Sequence, residues 1–363
     1  MSTPIPLSQP DITQREIDAV VDVLNTPTLS IGPRIEEFES LCAKLTARQH
    51  AVGVSSGTAG LHCAMIAAGI GPDDEVITTP FSFVASTNCI LYVRAKPVFV
   101  DIDPKTLNID LDKLPAALTP KTKAIVGVEV FGHPGGIAEL EQFAQKHEII
   151  LIEDSCEGFG GRTGKRMIGS FGRASVFGFY PNKQITTGEG GMIVTDDERF
   201  AQTCRALRNQ GREGQAWLAH QRLGYNYRLS EINAALGIAQ LRRLDELLEN
   251  RRRVAHHYIV RIMTSRYLIL PTIPENALMI DLRSAGIGCS NYFPPIHLQP
   301  YIARQFGCKP GDFPVCEYVA ARTLALPFFG ALTARQVETV CETLERALEK
   351  TLLGSKDRFQ KKP

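Results

Sequence analysis

Two short segments hold residues whose types and placement could do chemistry together. Asp154 ends the apolar run IILIEDS (149–155), and Lys183 lies in FYPNKQITTGEGG (179–191), just before a glycine-rich turn. A carboxylate at the C-terminal end of a parallel strand sits where open α/β sheets bind ligands. A lysine facing it across the strand ends is the arrangement that pyridoxal phosphate (PLP) chemistry needs. The amine forms a Schiff base, and the carboxylate keeps the pyridine nitrogen protonated so that the ring accepts electrons. The plain alternative is a surface lysine and a helix-capping aspartate. A second segment, VSSGTAGLH (54–62), carries a strand into Gly57 and a helix from about Thr58. Such a turn offers unpaired N–H groups and the positive end of a helix dipole to an anion such as phosphate. Gly57 permits close backbone approach, and Ser55, Ser56 and Thr58 add hydroxyls. The plain reading of this segment is a capped helix after a turn.

Other patterns carry less. GFGGRTGKRMIG (158–169) is glycine-rich and basic but lacks P-loop spacing. Cys156 adjoins the Asp154 strand with no histidine nearby in sequence, which favours an inert buried thiol. HHYIVR (256–261) reads as helix, with no metal site expected, and RRR (251–253) as a solvated helix face.

The elements that must position these residues alternate. Helical spacing marks 12–25, 35–47 and 58–69, and strands are expected at 50–56, 75–80 and 96–103, with a helix over 81–93. Segments 123–132, 137–147 and 149–155 form a strand–helix–strand unit, followed by strands at 175–181 and 190–196. This order predicts a mainly parallel sheet. From about 228 the pattern changes to one long helix or two abutting ones. A large domain over 1–245 and a small α+β domain over 246–363 are expected, the latter ending in the helix ARQVETVCETLERALEKTLL.

The chain has 363 residues, 40 Lys+Arg against 39 Asp+Glu, and nine scattered cysteines without CxxC spacing. The balanced charge argues against a nucleic-acid protein. No apolar run is long enough for a membrane-spanning helix, and no signal peptide is expected. Scattered thiols, odd in number, point to a reducing, cytoplasmic setting and against a disulfide framework or zinc site.

Taken in order, SSGTAGLH, TTPFSFVAS, PVFVDID, IEDS, FYPNKQITTGEGG, GYNYRLSEINAALG and YFPPIHLQPY resemble the DegT-type sugar-nucleotide aminotransferase family, the group of perosamine and 3-amino-5-hydroxybenzoate synthases. The resemblance spans roughly residues 6 to 350. It implies the aspartate aminotransferase-like α/β architecture (PLP fold type I), a homodimer with shared active sites, and transfer of an amino group from L-glutamate to a nucleoside-diphosphate-linked keto-sugar. A 4-keto-6-deoxyhexose is the first candidate, and amino-sugar biosynthesis for a polysaccharide or antibiotic the setting. Lys183 is then the Schiff-base lysine and proton carrier, and Asp154 the pyridine partner. Gly57, Thr58 and Ala59 face the phosphate, Phe83 stacks on the ring, and Glu157 lies by its phenolic oxygen. Asn226 reaches the partner subunit's cofactor, Arg228 sits near that interface, and Tyr292, Phe293 and His297 lie near the sugar-nucleotide entrance. Phe83 alternatively belongs to the core, Asn226 and Arg228 cap the helix at Ser230, and His297 is a solvated loop residue. Because Lys183 is a lysine and not a histidine, a dehydrase is disfavoured. A regulatory, non-enzymatic PLP binder is the other alternative.

Three departures from the family pattern stand out. Gly178 occupies a position, five before the lysine, that is often a phosphate-binding serine. Glu157 stands where Gln or His is common, and a carboxylate beside a phenolate must be protonated, turned away or bridged by a donor. A strand and most of a helix are missing between LPTIPEN (270–276) and ALMIDLRSAGIG (277–288). Either the small domain is truncated or two segments are joined across a gap. The second explanation is favoured, and it predicts a break in the chain within 272–279.

Overall fold

The computed structural model describes residues 4–213, 220–263 and 275–359. They fall into two compact units, one of residues 12–244 and 295–316, the other of 1–11, 245–294 and 317–363.

The first unit is built on seven strands: β1 (His50–Val54), β2 (Glu75–Thr78), β3 (Lys96–Phe99), β4 (Thr122–Val128), β5 (Ile150–Asp154), β6 (Ala174–Gly178) and β7 (Gly191–Thr195). Their order across the sheet is β1-β7-β6-β5-β4-β2-β3. The pairs β3–β2, β2–β4, β4–β5 and β5–β6 are parallel, and β7 runs antiparallel between β6 and β1. The strands are apolar runs rather than alternations because both faces are covered. Consecutive residues enter opposite cores. Val76, Val126 and Ile152 join one cluster with Leu61, Met65 and Phe200, whereas Ile77, Ile125 and Leu151 join the other with Leu140 and Phe171.

The helices follow the same logic. α1 (Gln14–Leu24) starts with a Thr13–Glu16 capping box and is amphipathic. α2 spans Pro33–Thr46. α3 (Gly57–Ala67) is apolar all round and buried, as expected of a helix packed between layers. α4 (Ala85–Tyr92) begins later than the expected 81–93, because Phe81 and Ser82 are buried in a turn where Phe81 N–H donates to Thr79 Oγ1. α5 (Ile137–Lys146) and α6 (Glu198–Arg208) complete the covering layers. The long C-terminal helix pattern resolves into α7 (Glu231–Arg242) and α8 (Leu244–Met263). Glu231 is buried and its carboxylate accepts from the N–H groups of Gly32 (3.1 Å), Arg34 (2.8 Å) and Ile35 (3.0 Å), so it closes the open N-terminus of α2.

The second unit packs α8 with helices Glu275–Ser284 and Ala334–Phe359 around Val254, Tyr258, Leu282, Val340 and Leu344. Its strands among the described residues are two-residue pieces, Ser290–Asn291 and Leu324–Ala325.

The unit boundaries differ from the expected 1–245 and 246–363 in two ways. The N-terminal segment belongs to the second unit, because Ile5 N–H donates to Gly286 O and Gly288 N–H to Ile5 O. Residues 295–316 belong to the first, where Ile296 N–H donates to Pro80 O and Asp101 caps the helix Pro314–Ala320 through Val315 N (3.0 Å) and Cys316 N (2.9 Å). Of the break expected within 272–279, residues 272–274 lie outside the described residues. Residues 275–279 belong to the helix Glu275–Ser284.

Candidate active site

Asp154 is the last residue of β5, in register with Val128 on β4 and Val176 on β6. Its side chain is 6% exposed. Ser86 Oγ, on α4, donates to Oδ2 at 2.6 Å, and Cys156 N–H approaches Oδ1 at 3.4 Å. Burial pushes the Asp154 carboxyl above its ordinary range, while Ser86, Cys156 and the nearby Lys183 charge pull it back. Such a group gains most from a buried cationic partner.

Lys183 lies in the loop between β6 and β7. That loop is fixed by Phe179, whose N–H donates to Gly190 O and whose carbonyl accepts from Thr187 N and Thr186 Oγ1. Asn233 on α7 donates to Thr187 O. The Lys183 ammonium meets Glu157 Oε1 at 3.1 Å, with both side chains 18% exposed. The second oxygen of Glu157 accepts from Phe131 N–H at 2.9 Å, and its carbonyl accepts from Gln184 Nε2. Both carboxylate oxygens of Glu157 thus meet a donor, Lys183 on one and Phe131 N–H on the other.

The anion turn forms as its sequence suggests, with one difference. Ser56 is the N-cap of α3 and its Oγ accepts from Ala59 N–H at 3.0 Å. The Ala59 donor, expected to face phosphate, is therefore engaged, and the N–H groups of Gly57 and Thr58 remain for an anion. A Cβ on Gly57 would lie 2.7 Å from Cys156 Sγ, and one on Gly178 would lie 3.3 Å from the same sulfur. Thus Gly57 and Gly178 together accommodate the Cys156 thiol, which burial holds protonated by pushing its pKa well up. A Cβ on Gly191 would lie 2.6 Å from Ser56 O, so the final glycine of GEGG is dictated by the backbone of the turn.

The remaining expected residues divide. Phe83 is 62% exposed, which removes the core reading and leaves its ring free to cover a ligand. Asn226 is exposed in a bridge with Asn209, and Arg228 donates to Asn209 Oδ1 at 3.2 Å. Neither caps α7, because Ser230 Oγ accepts from Asn233 N–H and does so itself. His297 is fully buried with its ring 4.7 Å from Phe313, and so not a solvated loop residue, because Ile296 anchors its turn on Pro80. Tyr292 and Phe293 belong to the second unit, half-buried, with ring centroids 4.4 Å apart.

The residues present fit pyridoxal phosphate. A buried carboxylate, an amine and an anion turn converge at the strand ends, and buried oxygens of Asn182 and Gln184 flanking the lysine have no hydrogen-bond partner.

Sequence reasoning missed Ser86, although the hydroxyl-rich run TTPFSFVAS was its signal. It also missed Glu129, which is buried at the end of β4 beside Glu153. A cavity of about 580 Å³ lies away from this cluster, lined by Arg199, Arg205, Arg208, Arg212, Arg222 and Arg228 with Glu213. Two of these arginines cap the edge of β1, Arg205 at Ala51 O and Arg208 at Gly53 O.

Residues 10–277 and 264–345 match the model of the DegT/DnrJ/EryC1/StrS aminotransferase family. The chain belongs to this family. It is 37% identical over 373 residues to the spore coat polysaccharide biosynthesis protein SpsC of Bacillus subtilis, covering 94% of this chain and 96% of that one. It is 34% identical to the GDP-perosamine synthase of Caulobacter vibrioides, over 95% of this chain and 98% of that one. The PLP form of the sugar aminotransferase Spr1654 from Streptococcus pneumoniae superposes with a TM-score of 0.89 at 28% identity, covering 96% of this chain and 100% of that one. The protein is a PLP-dependent sugar-nucleotide aminotransferase of fold type I. No helix among the described residues is long and apolar enough to cross a membrane, and no metal-binding cluster of His, Cys, Asp and Glu occurs among them.

Proposed function

We propose that this aminotransferase takes its amino group from L-glutamate and delivers it to a nucleoside-diphosphate-linked 4-keto-6-deoxyhexose, as a cytoplasmic homodimer with shared active sites. The observation that carries the reading is the approach of the Lys183 amine to the buried Asp154 carboxylate at the strand ends. Bound pyridoxal phosphate supplies a reactive carbonyl and an electron-accepting ring. Asp154, held by Ser86, keeps a proton on the ring nitrogen. The N–H groups of Gly57 and Thr58 bind the phosphate at the positive end of α3. Phe83 covers one ring face and excludes water from it. Lys183 Nζ would hold the cofactor and would be the base that takes the amino donor's Cα proton.

The substrate class is supported by the nucleotide-linked name of the perosamine synthase relative and by Arg228, which lines the arginine-rich cavity suited to a diphosphate. Shared active sites agree with the exposed position of Asn226, with the half-buried Arg228 beside it, and with an apolar stripe on α1. There Ile17 (48%), Val21 (47%) and Leu24 (55%) are exposed on one face, and Leu29 and Ile31 in the following loop are exposed as well. Nine free thiols agree with a reducing cytoplasm.

The test is a panel of keto-sugar nucleotides with L-glutamate and mass detection of the amino product. Amination of a 4-keto-6-deoxyhexose nucleotide is expected, with loss of the visible cofactor absorbance on adding glutamate alone. Lys183→Ala should abolish both signals. A protein that binds the cofactor but shows neither change with glutamate nor product would refute the proposal.

A further inference from the structure

We infer that Glu157 is the positioning residue of Lys183, an inference that rests on the role given to that lysine above. Two chain segments converge on this one carboxylate. Lys183 Nζ meets Oε1 at 3.1 Å, and Phe131 N–H donates to Oε2 at 2.9 Å. Gln184, the residue after the lysine, holds the Glu157 carbonyl.

The Phe131 contact is bought with an unfavourable backbone. Phe131 has φ 57° and Gly132 φ 76°, so a bulky residue sits in the left-handed region. A Cβ on residue 132 would lie 2.4 Å from the Glu157 carbonyl oxygen, which makes glycine necessary for this approach. Strain of this kind persists where surrounding structure over-determines it, typically at functional sites. Here it aims an N–H at the oxygen of Glu157 that the lysine leaves free.

Among the described residues, Asp154, Cys156 and Glu157 are titratable groups that lie beside Lys183. Asp154 is committed to Ser86 and Cys156 N–H, and burial holds the Cys156 thiol protonated. Glu157 is therefore the group that holds the amine by charge and hydrogen bond. Phe131 N–H holds the other oxygen and keeps the carboxyl aimed at the amine.

The test uses the full-length apoprotein and needs no sugar substrate. Each protein is pulsed with acetic anhydride between pH 7 and pH 10.5, and acetylation at Lys183 is read by peptide mass spectrometry against exposed Lys350. In Glu157→Gln the partly buried amine has lost its adjacent anion. Acetylation at pH 8 is expected to rise about tenfold over wild type, and the excess should shrink toward pH 10.5, where the amine is increasingly neutral in both proteins. Glu157→Asp, which keeps the charge but withdraws it, should give a smaller rise and guards against a folding defect in the first variant. A merely structural role, loosening the lysine, would raise acetylation by the same factor at every pH. That outcome, or no rise in either variant, overturns the inference. Failure of amino transfer with every sugar nucleotide would leave this readout intact, so the two proposals fail separately.

Discussion

Replacing Gly191 with alanine tests how tightly the anion turn is built. Gly191 opens β7 and is paired on both sides, with Val54 of β1 and Gly178 of β6. An added Cβ would lie 2.6 Å from Ser56 C and O and 2.7 Å from Gly57 N, all backbone atoms, whereas ordinary contact begins near 3.4 Å. Relief requires the strand and the turn to part by about 0.8 Å, the difference between 3.4 and 2.6 Å. The sheet restrains Gly191 from either side, so the Ser56–Gly57 turn is the part that moves. Overpacking of this kind costs about 1–3 kcal/mol. If that strain falls on the turn that binds phosphate, cofactor affinity drops by roughly 5- to 150-fold, since about 1.4 kcal/mol is tenfold. Titration of the apoprotein with pyridoxal phosphate, followed by visible absorbance, measures the affinity, and a urea melt measures the stability. Gly71→Ala is the control, because nothing lies within 4 Å of its added Cβ and no positive φ is involved. A Gly191→Ala protein with wild-type affinity and wild-type urea midpoint would refute the reasoning.

Three further outcomes are expected. Glu231→Ala strands the N–H groups of Gly32, Arg34 and Ile35 at the start of α2 and should destabilise the protein by about 3 kcal/mol in urea; a change below about 0.5 kcal/mol would mean that water replaces the carboxylate fully. Burial raises Glu153 to about 7 and pushes its neighbour Glu129 well up, so the folded state keeps protons that the unfolded chain releases above its ordinary carboxylate range. Stability should therefore fall as pH rises from about 4.5 to about 7, and Glu129→Gln, neutral throughout, should flatten that fall in urea melts at several pH values; an identical slope in the variant would exclude the pair as its source. Val21→Glu puts a charge in the exposed stripe of α1 and should shift light-scattering mass from dimer toward monomer, whereas an unchanged dimer would remove this stripe from the subunit interface.

Much of the first unit was readable because its strands are buried on both faces and therefore apolar throughout. Asp154 was legible since a carboxylate closing such a run can hardly lie elsewhere than at a strand end. The glycines of SSGTAG and GEGG were legible as a turn, but not that one packs on the other, since that contact joins Ser56 to Gly191. Ser86 escaped because its role is set by a hydrogen bond to a residue two strands away in the sheet order. The transfer of 295–316 to the first unit rests on Asp101 capping a helix more than two hundred residues on, and local spacing carries no trace of it. His297 looked solvated beside Pro-Pro-Ile, yet the Ile296–Pro80 bond turns that stretch inward. The fate of Glu157 depended on a left-handed Phe131, which no propensity favours.

The place of β1 in the sheet has a consequence for how the protein is made. The first strand in sequence is an edge strand whose one neighbour is β7, residues 191–195. A nascent chain that has left the ribosome as far as β6 can pair β2 through β6, because those strands adjoin one another. It cannot yet dock β1, so the Ser56–Gly57 turn stays unanchored until β7 emerges, shortly after Lys183. Contacts this distant in sequence are slow to close. The turn suited to phosphate is therefore completed only after Gly191–Thr195 is available to pair with His50–Val54.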